Sequence, residues 1–163
     1  MTFPAENDDL AAKIGAALLA RGARVAVVET TAGGLISARL LSVPGASAWF
    51  DRGHVAYSGP AKRDAGADLA VLEEHGAVSS QAVRSMAEGL RALAGADFAA
   101  AESGIAGPVG SRRSPKPVGS VSIAVAGPSR TVAQDLMLPG TRVEVMQRIA
   151  TAVLELLLAE IEG

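Results

Sequence analysis

The sequence predicts an α/β fold in which helices cover both faces of a mixed, mostly parallel β-sheet. Helical segments alternate with short apolar runs typical of buried strands up to residue 103, a hairpin follows, and a capped helix ends the chain. With 163 residues, 49% of them hydrophobic and 3% aromatic, the chain is predicted to form a single domain over 1–163. Its core is expected to consist of Ala, Val, Leu and Ile.

The first half of the chain is predicted to alternate helix and strand. Acidic residues begin a helix at Asp8 that Gly22 ends, and Pro60 opens a short helix that carries Lys62 in its first turn. The elements predicted between these helices are a strand over 24–29, a helix from Gly33 to before Pro44, and a strand over 49–58.

The second half is predicted to contain two longer helices around three strands. Ser79 or Ser80 caps a helix whose apolar face comprises Val83, Met86, Leu90 and Leu93. A strand is predicted over 96–103 and a hairpin over 120–127 and 130–138. Thr141 and Glu144 form a capping box for the last helix. The apolar stripe of that helix is core or an oligomer face, and it comprises Val143, Met146, Ile149, Val153, Leu156 and Leu157.

Charge and composition exclude several functional classes. A net charge of −2 provides no basic field for nucleic acid or an anionic membrane. Without cysteine there is no disulfide, thiolate metal site or cysteine nucleophile, and His54 and His75 lack metal-motif spacing. The acidic first ten residues do not resemble a signal peptide, and no apolar run reaches the roughly 20 residues that span a bilayer. We expect a cytoplasmic protein with a small-molecule partner.

One candidate site follows the first predicted strand. Glu29 ends that strand, and Thr30, Thr31 and two glycines lead into a helix. Free N–H groups and the positive end of a helix bind phosphate or stabilise an oxyanion, and open α/β sheets bind ligands at the carboxyl ends of strands. A capped helix after a glycine turn is the simpler explanation of this segment taken alone.

A second candidate pair is Tyr57, at a predicted strand end, and Lys62 in the helix that follows. A lysine near a hydroxyl acts as a general base when burial and neighbours lower its pKa. Taken alone, such a lysine is more often a solvated surface residue. Its place near a helix N-terminus is unfavourable for a cation, which indicates a partner or a function.

A third candidate is the glycine-rich loop 102–119, in which Arg112, Arg113 and Lys116 offer cations for a substrate phosphate. A solvated surface loop is the alternative. Arg142, in the first turn of the last helix, is suited to an anion or a carboxylate. A surface ion pair would explain this arginine equally well.

These segments, in this order, resemble the CinA carboxy-terminal domain family over about residues 8–160. The family includes nicotinamide-nucleotide amidohydrolases, which deamidate nicotinamide mononucleotide to nicotinate mononucleotide and ammonia. The matching segments are 29–34, 57–62, 103–110, 115–119 and 140–142. The resemblance implies a three-layer α/β/α fold and neither a metal nor an organic cofactor.

By the same resemblance, the nucleophilic serine of the family falls on Thr30, its lysine base on Lys62 and its tyrosine on Tyr57. Lys62, directly or through Tyr57, would take the hydroxyl proton as Thr30 attacks the carboxamide carbon. N–H groups at the helix start near Gly33 would hold the oxyanion. The residues expected to contact substrate are Glu29, Thr31, Gly33, Gly34, Ser103, Gly104, Gly107 and Arg142.

The sequence departs from the family pattern at the predicted site itself. Thr30 adds a methyl group that stiffens χ1 and crowds the approach to substrate. Ala32, Val109 and Thr141 replace a threonine, a glycine and an acidic residue. A second hypothesis is therefore kept: a catalytically weak or inactive member that acts as a nucleotide-binding or protein-interaction module. In either case we expect a homo-oligomer.

Overall fold

The computed structural model describes residues 8–110 and 114–163. The elements of these residues are α1 (Asp9–Arg21), β1 (Val25–Glu29), α2 (Leu35–Leu41), a 3₁₀ turn (Ala46–Ala48), β2 (Phe50–Val55), α3 (Gly59–Asp64), α4 (Leu69–His75), α5 (Ser80–Ala94), β3 (Phe98–Gly104), β4 (Ser120–Ala126), β5 (Thr131–Met137) and α6 (Arg142–Glu162). None of the helices in this part of the chain combines the length and the apolar content that a bilayer crossing requires.

The five strands form one sheet in the order β2-β1-β3-β4-β5. β1 pairs in parallel with β2 on one side and β3 on the other, whereas β4 is antiparallel to both β3 and β5. Four strands therefore run in one direction and β4 opposes them. The carboxyl ends of β2, β1 and β3 lie side by side at one edge of the sheet, with β1 in the middle.

Helices cover both faces of this sheet. Val25 and Val27 of β1 pack into a core with α1, α2 and α6, whereas the alternating residues Ala26 and Val28 pack into a second core with α4 and α5. Alternation sends successive side chains to opposite faces, so every residue of β1 is buried. The predicted three-layer α/β/α fold with a mixed, mostly parallel sheet is confirmed.

Side-chain caps fix the helix ends that the sequence predicts. The Asp8 carboxylate accepts the Ala11 N–H at 3.1 Å and also pairs with Arg39 of α2. Arg39 in turn donates to the Thr151 hydroxyl of α6 at 2.8 Å, so one guanidinium joins three helices. Ser79 rather than Ser80 caps α5, and the predicted capping box of α6 is formed.

The structure corrects several details of the sequence prediction. β2 covers only 50–55 of the predicted 49–58, and α4 was not predicted because Leu72 is its only buried residue. Leu93 and Val143, which the sequence places on apolar helix faces, are 53% and 58% exposed. Both lie in a terminal turn of their helix, where a side chain has helical neighbours on one side only.

Candidate active site

The structure brings the three predicted loop segments to one edge of the sheet. Thr30 follows β1 directly, Tyr57 comes two residues after β2, and Ser103 and Gly104 end β3. Because these strands are parallel, their carboxyl ends meet, which is where open α/β sheets place ligands. β1 is the central strand of the three, so Thr30 lies between the other two segments.

Thr30 and Thr31 are bound to the backbone of β3. The Thr30 hydroxyl donates to the Glu102 carbonyl at 3.0 Å. The Thr31 hydroxyl donates to the Gly104 carbonyl at 3.0 Å and accepts the Gly104 N–H at 2.8 Å. The side chains of both threonines are buried. The Thr30 hydroxyl proton must therefore turn from the Glu102 carbonyl towards a base before Oγ1 can attack a substrate.

Gly104 and Ser103 pack against β4 at the end of β3. A Cβ atom on Gly104 would lie 2.9 Å from Cγ2 of Val121, so only glycine fits there without displacing its neighbour. Ser103 is buried and faces Ser122 across the antiparallel register of β3 and β4. The end of β3 thus packs against β4, while the Gly104 backbone binds the Thr31 hydroxyl.

Glu29 organises the start of α2. Its buried carboxylate accepts the N–H groups of Gly34, Ile36 and Ser37 at 2.9, 3.1 and 2.8 Å, and the Ser37 hydroxyl at 2.7 Å. The chain can turn into the helix because Gly33 and Gly34 have φ of 65° and 102°. The positive end of α2 is therefore occupied by a carboxylate of the protein itself.

The contacts of Glu29 reduce the number of N–H groups that the predicted oxyanion site can use. Of the N–H groups near Gly33, those of Gly34, Ile36 and Ser37 are engaged by Glu29. Gly33 itself is exposed, and its N–H has no hydrogen-bond partner among residues 8–110 and 114–163. The Gly33 N–H is therefore the donor at the helix start that stays available to a ligand.

Glu102 is a site residue that the sequence reasoning missed. Its Oε1 accepts the N–H groups of Thr30 at 2.6 Å and Ala32 at 2.8 Å, and the side chain is fully buried. Burial raises the pKa of Glu102 to about 7, the nearby Glu29 acts in the same direction, and the N–H donors oppose them. The signal in the sequence was a single acidic residue in the small, apolar run 98–103.

Lys62 lies in α3, half-buried, as the fourth of six residues. It therefore belongs to the last turn, and the predicted conflict with the helix N-terminus does not arise. Burial lowers the pKa of Lys62, whereas the charges of Glu102 and Tyr57 raise it. No hydrogen bond joins Thr30 to Lys62 or Tyr57 within the described residues. Catalytic hydrogen bonds often tighten only when substrate binds.

Arg142 connects the outer parts of the site. Its guanidinium donates to the Gly107 carbonyl at 2.6 Å and to the Tyr57 hydroxyl at 3.3 Å. Within the described residues Arg142 forms no salt bridge, so the predicted alternative of a surface ion pair is not what the structure has. Because Tyr57 is 66% exposed, these three residues form a rim with a cation at the mouth of the site.

The remaining predicted cations do not all fall at this rim. The Lys116 ammonium donates to the Val78 carbonyl just before α5. Arg112 and Arg113 lie outside the described residues. Across residues 8–110 and 114–163, no three His, Asp or Glu side chains are close enough to hold a metal ion.

Comparison with known proteins identifies relatives along nearly the whole chain. Residues 7–161 match the family model of the CinA C-terminal domain. The nicotinamide-nucleotide amidohydrolase PncC of Enterobacter agglomerans is 48% identical over 120 residues, which are 73% of each chain. A CinA-like protein of Anaeromyxobacter dehalogenans is 45% identical over 156 residues, or 95% of this chain.

Solved structures of relatives have the same fold. The competence/damage inducible protein CihA of Agrobacterium tumefaciens superposes with a TM-score of 0.90 at 34% identity, covering 100% of this chain and 99% of that one. The chain spans only 38% of the Anaeromyxobacter dehalogenans relative and 31% of a putative competence-damage inducible protein of Desulforudis audaxviator. The extent of the family match and the level of identity show that this chain belongs to the CinA C-terminal domain family.

Proposed function

We propose that this chain is an amidohydrolase that converts nicotinamide mononucleotide to nicotinate mononucleotide and ammonia. The observation that carries the proposal is the position of the Thr30 hydroxyl at the carboxyl end of β1, the middle strand of the three parallel strands. The helix that carries Lys62 follows the carboxyl end of the neighbouring strand β2. The lowered pKa of Lys62 suits a general base. The 48% identical relative named nicotinamide-nucleotide amidohydrolase supports the choice of substrate.

The proposed reaction is acyl transfer through a threonine ester. Neutral Lys62 takes the hydroxyl proton of Thr30, with Tyr57 as the relay, while Oγ1 bonds to the carboxamide carbon. The carbonyl oxygen becomes an oxyanion, for which the Gly33 N–H is the proposed donor. The C–N bond then breaks, the leaving nitrogen takes the proton from the Lys62 ammonium, and ammonia departs.

Water completes the reaction. It gives a proton to Lys62 as its oxygen attacks the ester, the C–O bond to Thr30 breaks, and Oγ1 recovers a proton. The methyl group of Thr30 restricts χ1. The Thr30 hydroxyl proton must also turn away from the Glu102 carbonyl first. We therefore expect slower acylation than a serine at this position would give.

Arg142 is the proposed anchor for the substrate phosphate. Its guanidinium lies at the exposed rim, and only two of its N–H groups donate to the protein contacts described above. Guanidinium groups bind phosphate through two parallel hydrogen bonds. The anchor would hold the nucleotide so that its carboxamide reaches Thr30.

A turnover assay with a panel of pyridine nucleotides, followed by mass spectrometry of the products, tests this function. We expect ammonia and nicotinate mononucleotide from the natural chain and loss of both in Thr30→Ala and Lys62→Ala. Thr30→Ser is the matched variant, because it keeps the hydroxyl and removes the methyl group. Turnover by Thr30→Ser without turnover by the natural chain would refute the proposal for this sequence.

A second candidate function is a nucleotide-binding module without catalysis. The Thr30 hydroxyl is buried and donates to a backbone carbonyl, which favours a non-catalytic role. This hypothesis predicts saturable binding of a pyridine nucleotide by calorimetry, weakened in Arg142→Ala, with no product formed. Absence of any binding heat would leave only a protein-interaction role.

A further inference from the structure

We propose that Glu102 is a positioning residue of this site, which holds the Thr30 loop through one carboxyl oxygen and sets the protonation of Lys62 through its charge. The inference rests on the proposed function, because it assigns Glu102 a role in the site where Thr30 and Lys62 react. It adds a residue that lies beneath the loop rather than in contact with substrate.

The contacts of Glu102 fix the loop on both sides of Thr31. Oε1 accepts the N–H groups of Thr30 and Ala32, so the backbone of the nucleophile depends on this oxygen. Oε2 is buried and has no hydrogen-bond partner within the described residues. Holding the loop requires only one accepting oxygen, which a glutamine would also provide. The second oxygen and the charge therefore call for another explanation.

The surroundings of Glu102 contain few charges. The charge of Glu29, at the end of β1, raises the pKa of Glu102. The charges of Glu102 and Tyr57 both raise the pKa of Lys62 in α3. The partner of Glu102 on β4 is the apolar Ile123. The residues of α6 that approach this edge are apolar as well, since Met146 lies against Gly33 and Ile149 against Gly104. Lys62 is the cation on which we propose that this carboxylate acts.

The two groups are linked in their titration. An ionised Glu102 stabilises the Lys62 ammonium and opposes the effect of burial, whereas a neutral Glu102 lets Lys62 lose its proton more easily. Because the pKa of Glu102 is raised to about 7, its charge changes in the neutral range. Glu102 would thus determine the pH at which Lys62 becomes a base.

Glu102→Gln separates this role from a structural one, since glutamine keeps an oxygen for the Thr30 and Ala32 N–H groups but carries no charge. The midpoint of Lys62 ionisation is expected to move to lower pH by about one pH unit. NMR of side-chain-labelled lysine reports this midpoint without substrate. The chain has only three lysines, and Lys62→Met identifies the signal.

The ascending limb of the pH profile of kcat/KM is expected to move in the same direction. Asp135→Asn is the matched control: it removes one carboxylate charge from β5, where Asp135 accepts from Ser80 and Ser122, and should leave the Lys62 midpoint in place. An unchanged midpoint in Glu102→Gln, or an equal change in Asp135→Asn, overturns the inference. If the natural chain shows no turnover, the proposed function fails while the lysine titration still decides the role of Glu102.

The reciprocal measurement covers the case in which Glu102→Gln does not fold. Lys62→Met removes the ammonium from a half-buried position in α3, so the fold should tolerate it. Linkage then requires the titration midpoint of the Glu102 carboxyl, followed by ¹³C NMR, to rise in Lys62→Met. An unchanged midpoint contradicts the coupling.

Discussion

Replacing Glu29 by alanine removes the acceptor on which the start of α2 depends. The buried carboxylate accepts three N–H groups, from Gly34, Ile36 and Ser37, and the Ser37 hydroxyl, all between 2.7 and 3.1 Å. A hydrogen bond to a charged group contributes about 1.5–3 kcal/mol net. Water can reach the half-buried Gly34 and Ser37 but not the buried Ile36. We therefore expect the free energy of unfolding to fall by about 3–5 kcal/mol.

Urea denaturation followed by the fluorescence of Trp49 measures this loss, because Trp49 is the only tryptophan and is buried. Ser37→Ala is the matched control: it removes only the hydroxyl donor to the Glu29 carboxylate and should cost about 1.5–3 kcal/mol. A loss in Glu29→Ala no larger than that in Ser37→Ala would show that the Glu29 carboxylate does not hold this helix end. The start of α2 would then be held by other contacts.

Three further predictions concern Glu102, the packing of β3 and the rim. The pKa of Glu102, about 7 in the folded chain against an ordinary 4.5, means that the folded chain holds an extra proton between these values. The free energy of unfolding of the natural chain should therefore fall by about 3 kcal/mol as pH rises through this window, whereas that of Glu102→Gln should not. Urea denaturation measures both, and an equal pH dependence in the two proteins would contradict the prediction. Gly104→Ala would place Cβ 2.9 Å from Val121 and should lower the free energy of unfolding by about 1–3 kcal/mol. The control Gly110→Ala should change it by no more than about 0.5 kcal/mol. Similar thermal midpoints for the two variants would contradict the predicted clash with Val121. Arg142→Ala should raise KM for the nucleotide about tenfold or more with kcat little changed, and steady-state kinetics that show the reverse would remove Arg142 from phosphate binding.

Most of the fold was predictable because its signals are local. The apolar run at 24–29, the glycine stop at Gly22 and the Thr141 capping box each specify their element from neighbouring residues alone. The boundaries that failed depend on tertiary contacts. β2 ends at Val55, where its pairing with β1 ends at Glu29, and the alternation in the sequence does not show where pairing stops.

The sequence predicted which segments form the site but not the hydrogen bonds between them. The order of segments along the chain indicated Thr30, Tyr57, Lys62 and Arg142. It could not show that Glu102, on a neighbouring strand, binds the N–H groups of the Thr30 loop, because those contacts join residues 72 and 70 positions apart.

The rate of ammonia release from nicotinamide mononucleotide, compared between the natural chain and Thr30→Ala, tests whether Thr30 is the nucleophile. If Thr30 is the nucleophile, the natural chain turns over and the alanine variant loses at least about a thousandfold in kcat, since the covalent route is closed. Lys62→Ala should lose about a hundredfold or more, as expected for removal of a general base. Turnover by Thr30→Ala at the rate of the natural chain would show that Thr30 is not the nucleophile.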